Sequence, residues 1–492
     1  RRHNRKVSYT KPTQTTRSPS PGQMRWPMLA SLLPALVAGE YDNCGRPDAV
    51  YASWDQAHGS SYANAAIQSG ENIYILGRAS GNLSLATMHK AGTYTDHKGA
   101  QLAHNTLDTM TIHHDTDTCC GGTCCDQSSA NPATSNYGRD IFVYKVTKDG
   151  APISVFGVDM HSVDGISNGI TNDASKNITG GSVNGGNGPF ASIEAIDSFE
   201  KSGNAAHVAI AGRHRGRLSF PKADGTLLHF DNAKFGNRAN GYGYNAIVAK
   251  IDMENNAVAW VSSKGMMLED QRTSASAVAT TAAGHVIAVG EKRGDAGGQF
   301  IVKLNGADGA DVWSKTYSEL DRLNGMESVG EMGYVTGRIK SGNKTEAFAT
   351  ATNGLGGLSS TCESGAGDSA SVFAIDTSGA DGPAFTWMTQ IGCGTGYSVK
   401  VEGDYLYISG ELDEKNTTVI TTPAPTGGQG ACALTGKYGG YLAKISKADG
   451  KCMWAKDTPK HHRAVSDGTS VWAASDGDAP FIYDASHSVA PN

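Results

Sequence analysis

Repeated strand pairs, glycine-ended strands and Asp-Gly turns together predict an all-β chain of four-stranded antiparallel sheets repeated around an axis. Four copies of one pattern run from an apolar strand through a short polar turn to a second strand ending in tryptophan. They are Ala246–Ile251 to Trp260, Phe300–Leu304 to Trp313, Ser371–Ile375 to Trp387 and Tyr441–Ile445 to Trp454. A fifth, Ile141–Val146, ends in Phe156 instead. Each copy follows a strand that ends in glycine: Ile73–Gly77, His207–Gly212, His285–Gly290, Tyr334–Gly337 and Tyr405–Gly410. Weaker runs such as Ser398–Val401 precede these, so one unit is a meander of four strands, A to D. A single unit cannot bury its own faces and needs like neighbours on both sides. Val- and Ile-rich runs of about five residues suit strands covered on both faces, as in the radially packed sheets of a β-propeller.

The turns between strands C and D agree. Lys148-Asp149-Gly150, Ala307-Asp308-Gly309 and Ala448-Asp449-Gly450 place Asp-Gly where a tight hairpin needs positive φ, which glycine adopts without a Cβ clash. Five blades are predicted near 60–158, 191–262, 272–316, 325–390 and 396–456. Val465–Gly468, Ser470–Ala474 and Phe481–Tyr483 read as strands A, B and C of a sixth, and Val50–Trp54 reads as a D strand with no C of its own. Pairing that N-terminal strand with the last blade would close a six-bladed ring and remove two open sheet edges. Residues 160–190 read as a long connection or a degenerate half blade, the latter giving seven.

These residues resemble the propellers of the pyrroloquinoline-quinone type and related short bacterial repeats, whose blades end in a tryptophan docking motif, A-x-D-x-x-T-G-x-x-x-W. The matching stretches are Lys444 through Gly450 to Trp454 and Lys303 through Gly309 to Trp313. The likeness extends from about 190 to 456. Quinone dehydrogenases of that family often stack a vicinal disulfide on the cofactor, which implies Cys119-Cys120 or Cys124-Cys125 here. The chain departs from their pattern in blade number, and their calcium-binding Glu and Asn and catalytic Asp find no match in it.

Glycine is nearly twice its usual share, 62 of 492 residues, as expected for many short strands and turns. Residues 24–39 combine a basic residue, the apolar run Met28–Val37 and a cleavage-like Val37-Ala38-Gly39, the pattern of a secretory signal. The chain therefore divides into a leader over 1–39 and one propeller domain over 40–492. Past residue 39 there are 35 Lys and Arg against 48 Asp and Glu, a net charge of −13, which argues against nucleic acid as partner. No stretch there is long and apolar enough for a transmembrane segment. All nine cysteines also follow residue 39, as suits a secreted or extracellular protein. Asn82, Asn177, Asn343 and Asn416 head N-x-S/T triplets, candidate glycosylation sites.

Length differences between units point to the working surface. From the glycine of strand B to the aromatic end of strand D is 23 residues for Gly290–Trp313, but 48 for Gly212–Trp260, 50 for Gly337–Trp387 and 44 for Gly410–Trp454. The extra residues form B–C insertions over 78–139, 213–244, 338–370 and 411–439, expected to gather on one face of the disc. The longest holds His113, His114, Asp115, Asp117, Cys119, Cys120, Cys124 and Cys125, which suit either disulfides or a zinc-type metal site. Of the remaining cysteines, Cys362 is expected to pair with Cys393, with Cys432 as the rival partner, and Cys44 with Cys452. The sequence predicts a secreted or cell-surface module binding a protein or glycan through these insertions. The alternative is an oxidoreductase using pyrroloquinoline quinone with calcium, or zinc, at the channel mouth.

Overall fold

The computed structural model describes residues 53–54, 61–79, 83–87, 93–95, 101–103, 108–112, 140–147, 152–161, 166–167, 170–171, 190–215, 217–231, 244–266, 272–293, 297–340, 368–413, 417–418, 420–422, 432–434, 439–459, 463–466, 470–474 and 481–484. Five four-stranded antiparallel meanders follow one another in the order the repeats predict. The first comprises Ser61–Ser69, Asn72–Ala79, Asp140–Thr147 and Pro152–His161. The second comprises Phe190–Ser198, His207–Arg215, Asn245–Asp252 and Ala257–Ser262. Thr273–Thr280, Val286–Lys292, Gly298–Leu304 and Asp311–Tyr317 form the third. Leu320–Val329, Met332–Ile339 and Ser369–Asp376 are strands A to C of the fourth. Its D strand runs without a break into strand A of the fifth, as Ala384–Glu402, and Tyr405–Leu412, Gly439–Ser446 and Cys452–Pro459 complete that blade.

The core lies between blades, as the apolar runs require. Val208, Ile210 and Ile247 of the second blade pack on Leu76, Val143 and Phe156 of the first. Successive junctions are filled by Val248, Trp260 and Val302, by Ile301, Trp313 and Phe373, and by Ala374, Trp387 and Tyr441. A buried side chain of this size contributes about 1.5–3 kcal/mol through removal from water.

The glycine that ends each B strand has a shared cause. Strand A carries a one-residue bulge opposite it in all five blades, at Asn64, Glu194, Ser276, Asn324 and Tyr397. A Cβ on Gly212, Gly290, Gly337 or Gly410 would strike the strand A carbonyl two residues before the bulge, and one on Gly77 would strike the Phe142 ring. A bulge crowds the facing strand, and only hydrogen in place of a side chain relieves it.

The two ends of the chain pair differently from the expected ring closure. Arg463–Ser466, Ser470–Ala474 and Phe481–Asp484, the stretches expected as strands A, B and C, form a three-stranded antiparallel sheet. The N-terminal strand does not supply its fourth member: Ser53 and Trp54 pair with Ser84 and Leu83. That partner is near in sequence, so the loop closed by pairing with it is short and costs little entropy. Between Pro152–His161 and Phe190–Ser198 the described residues are two paired two-residue strands, Ile166–Ser167 and Ile170–Thr171.

Candidate functional site

Two of the B–C insertions add a strand to the outer D strand of the preceding blade. After Gly212 the second blade's insertion forms a hairpin, Arg217–Pro221 on Leu227–Asp231. Leu218, Ser219 and Phe220 are all buried, and Lys222 to Gly225 make the turn, with Gly225 at φ 77°. Hydrogen bonds from the Thr226 hydroxyl and backbone hold the exposed Asp224 carboxyl down at about 2. The first hairpin strand adds to the D edge of the preceding blade, with Arg217 opposite His161, Leu218 opposite Met160 and Ser219 opposite Asp159.

The fifth blade repeats this device. Ile420–Thr422 of its insertion pairs with Met388–Gln390, the D strand of the fourth blade. Thr417–Thr418 then pairs with Ala433–Leu434. A disulfide joins Cys432 to Cys452, with Cα atoms 6.0 Å apart. Strand B ends on one face, whereas Cys452 follows the C–D turn on the other. The insertion therefore descends the full height of the sheet before it is pinned.

That descent corrects the expected Cys44–Cys452 bond, because it brings Cys432 to Cys452. It also removes Cys432 as partner for Cys393, which is itself disulfide-bonded. Cys44 and Cys362 lie outside the described residues. So do His113, His114, Asp115, Asp117, Cys119, Cys120, Cys124 and Cys125, and with them both vicinal pairs that would stack on a quinone. The glycosylation candidates Asn82, Asn177, Asn343 and Asn416 lie outside them as well. Among the described residues no group of three or more His, Cys, Asp and Glu is placed to hold a metal ion.

The A strands carry a polar network that sequence reading did not identify. Three bulge residues reach the next blade's backbone just before its own bulge. Asn64 Nδ2 donates to Ile193 O at 2.5 Å, the Ser276 hydroxyl to Leu323 O, and Asn324 Nδ2 to Gly396 O at 2.8 Å. Three residues beyond the bulge, carboxylates repeat the step in the other direction. Asp197 accepts from Thr280 N at 2.7 Å, and Glu327 accepts from Val401 N at 2.6 Å. Lys400 pairs with Glu327 at 2.8 Å and Lys201 with Asp197 at 3.4 Å. Burial lowers the Lys400 pKa, but the Glu327 charge and hydrogen bond outweigh it, and the net shift is upward. The signal that could have revealed this network is the regular offset of polar residues from each bulge, which is visible only once the bulges are placed.

The tryptophans fasten blade to blade. Trp260 Nε1 donates to Gly306 O at 3.0 Å, in the C–D turn of the third blade. Lys250, opposite Trp260 in the second blade, donates to the same oxygen at 2.9 Å. Trp387 Nε1 donates to Lys447 O at 3.2 Å in the fifth blade's turn. A Cβ on Gly309 or Gly450 would strike the Trp260 or Trp387 ring.

Repeated four-stranded blades, packed face to face and joined by docked tryptophans, define the β-propeller class. No protein-family profile matches the chain, and no curated protein matches it either. Solved structures match at the level of fold. Quinohemoprotein alcohol dehydrogenase from Comamonas testosteroni is 11% identical, over 55% of this chain and 40% of that one, with a TM-score of 0.27. BamB from Moraxella catarrhalis is 14% identical over 49% and 77%, with a TM-score of 0.22. The β-propeller domain of the Trilobed protease from Pyrococcus furiosus is 9% identical over 57% and 78%, with a TM-score of 0.21.

Proposed function

We propose that this chain is a six-bladed, secreted or cell-surface propeller that binds a protein or glycan through its B–C insertions. The observation that carries this reading is the anchoring of those insertions. One is stitched to its neighbour through Arg217–Ser219, another through Ile420–Thr422 and the Cys432–Cys452 bond. Loops held on a rigid scaffold lose little conformational entropy on binding, which favours recognition. In the six-bladed reading, Arg463–Asp484 supplies three strands of the last blade.

Glycan and protein arrays probed with the full chain test the proposal. Binding should fall at least tenfold when residues 414–431 are replaced by a short Asn-Gly turn. Undiminished binding by that variant and by one lacking 218–230 would overturn the assignment to the insertions. A purified protein carrying quinone and calcium, or zinc, with dye-linked oxidation of an alcohol, would replace it with the oxidoreductase reading.

A further inference from the structure

The tripeptide Leu-Asn-Gly occurs twice in the chain, as Leu304-Asn305-Gly306 and Leu323-Asn324-Gly325. Asparagine before glycine carries an electrophile and a nucleophile within one short loop of bonds: the glycine nitrogen can add to the asparagine side-chain carbon. How fast it does so depends on how the fold holds the two atoms. Identical neighbours give both copies the same intrinsic chemistry, so a difference between them belongs to the tertiary structure. The second copy lies in strand A of the fourth blade, with Asn324 in the bulge. Asn324 Nδ2 donates to Gly396 O at 2.8 Å, so the fifth blade holds the nitrogen that would have to leave. Gly325 pairs with Thr336 in the sheet, and a Cβ on it would crowd Tyr397 O.

The first copy opens the C–D turn of the third blade. Ala307 N donates to Asn305 Oδ1 at 2.9 Å, which folds the side-chain amide back alongside the intervening Gly306 nitrogen. The same bond stabilises the oxygen on which negative charge develops when Gly306 N adds to Asn305 Cγ. Ala307 and Asp308 are exposed, so water reaches the turn. Packing also fixes the nucleophile as glycine, the least hindered residue, because a Cβ on Gly306 would strike Gly284 O.

We propose that Asn305 is a self-modifying site, converted without an enzyme to a mixture of aspartate and isoaspartate while Asn324 is protected. Gly306 N gives up its proton and forms a bond to Asn305 Cγ. The Cγ–Nδ2 bond breaks, and that nitrogen leaves with the proton as ammonia. Water then adds to either carbonyl carbon of the cyclic imide and breaks its bond to Gly306 N. Addition at the main-chain carbon leaves a carboxylate there and routes the chain through Cβ and Cγ, which lengthens the backbone by an atom. The altered carbonyl is the acceptor for Gly309 N at 2.8 Å, and the next one, Gly306 O, receives both Trp260 and Lys250. The reaction therefore displaces the turn on which the second blade docks, and the junction loosens as the protein ages. No insertion takes part, so the site is independent of the binding proposed above.

Peptide mapping of the full chain after incubation in mildly alkaline buffer tests the proposal, because trypsin separates the two copies into peptides 304–315 and 323–338. In the folded protein the mass gain of amide-to-acid conversion should accumulate roughly tenfold faster at Asn305 than at Asn324. In strong denaturant the two rates should converge. Asn305→Ser keeps a side-chain oxygen for Ala307 N but has no amide to lose, so it should hold its denaturant midpoint through an incubation that lowers that of the wild type. Equal conversion at the two sites in the folded protein, or faster conversion at Asn324, would overturn the inference. So would a difference that persists in denaturant, or ageing that leaves the wild type as stable as Asn305→Ser.

Discussion

The junction between the second and third blades and that between the third and fourth use the same tryptophan differently. At the first, Trp260 and Lys250 both donate to Gly306 O. At the second, Trp313 is equally buried, but among the described residues its Nε1 has no hydrogen-bond partner, and the contact to the receiving turn is made by Lys303. Lys303 donates to Thr377 O at 2.8 Å and pairs with Glu331 at 3.1 Å. The receiving turns explain the difference. The third blade turns through Ala307-Asp308-Gly309, whereas the fourth uses a longer stretch, Thr377–Pro383, without that pattern. Ring packing is common to both junctions, and the polar fastening is supplied by whichever donor reaches a turn carbonyl.

The largest effect that would break this comparison is loss of the rings themselves. Trp260→Ala should cost about 3–5 kcal/mol through the cavity it leaves, and Trp313→Ala should cost less within that range because no hydrogen bond goes with it. Denaturant midpoints of the two variants check the order. At the fourth–fifth junction, Cys432→Ser opens a closed loop of about 20 residues, for which the chain-entropy estimate is about 3 kcal/mol. The expected readout is a lower midpoint together with faster exchange at Met388–Gln390.

A finer comparison keeps the ring and removes only the indole N–H. Trp260→Phe should cost about 1 kcal/mol more than Trp313→Phe, since only the first gives up a made hydrogen bond. Equal losses would mean that the Gly306 contact contributes nothing. The smallest effect concerns acid. Burial pushes the Glu331 carboxyl up, but hydrogen bonds from Thr281 and Lys303 and the Lys303 charge hold it, on balance, below its ordinary value of 4.5. Its stabilising contribution is therefore present above that value and lost as the pH falls through the lowered one. Between pH 6 and 3 the wild type should lose more stability than Glu331→Gln, by less than about 1 kcal/mol.

Much of the architecture was legible along the chain. Strand order, the meander and the between-blade core follow from the apolar runs around Val248, Ile301 and Phe373, because local hydrophobic pattern dictates what must be covered. Gly309 and Gly450 have the positive φ that their Asp-Gly turns predict. The candidate site was less legible. The sequence marks 213–244 only as an insertion, and neither its hairpin, Arg217–Pro221 on Leu227–Asp231, nor that hairpin's place on the edge of another blade is legible there. The pairing of Cys432 with Cys452 depends on how far the insertion descends, and the partner of Trp54 on which edge lay nearest.

What the sequence determined by itself is the repeat: the length of each strand, the glycines its bulges demand and the tryptophan that must be buried at its end. These are local requirements, set by Cβ sterics and by apolar surface within a few residues. The tertiary structure alone decided which edges the insertions cap, which donor fastens each junction and which cysteine meets Cys452. Those outcomes depend on where groups distant in the chain arrive in space, and no local pattern encodes that meeting.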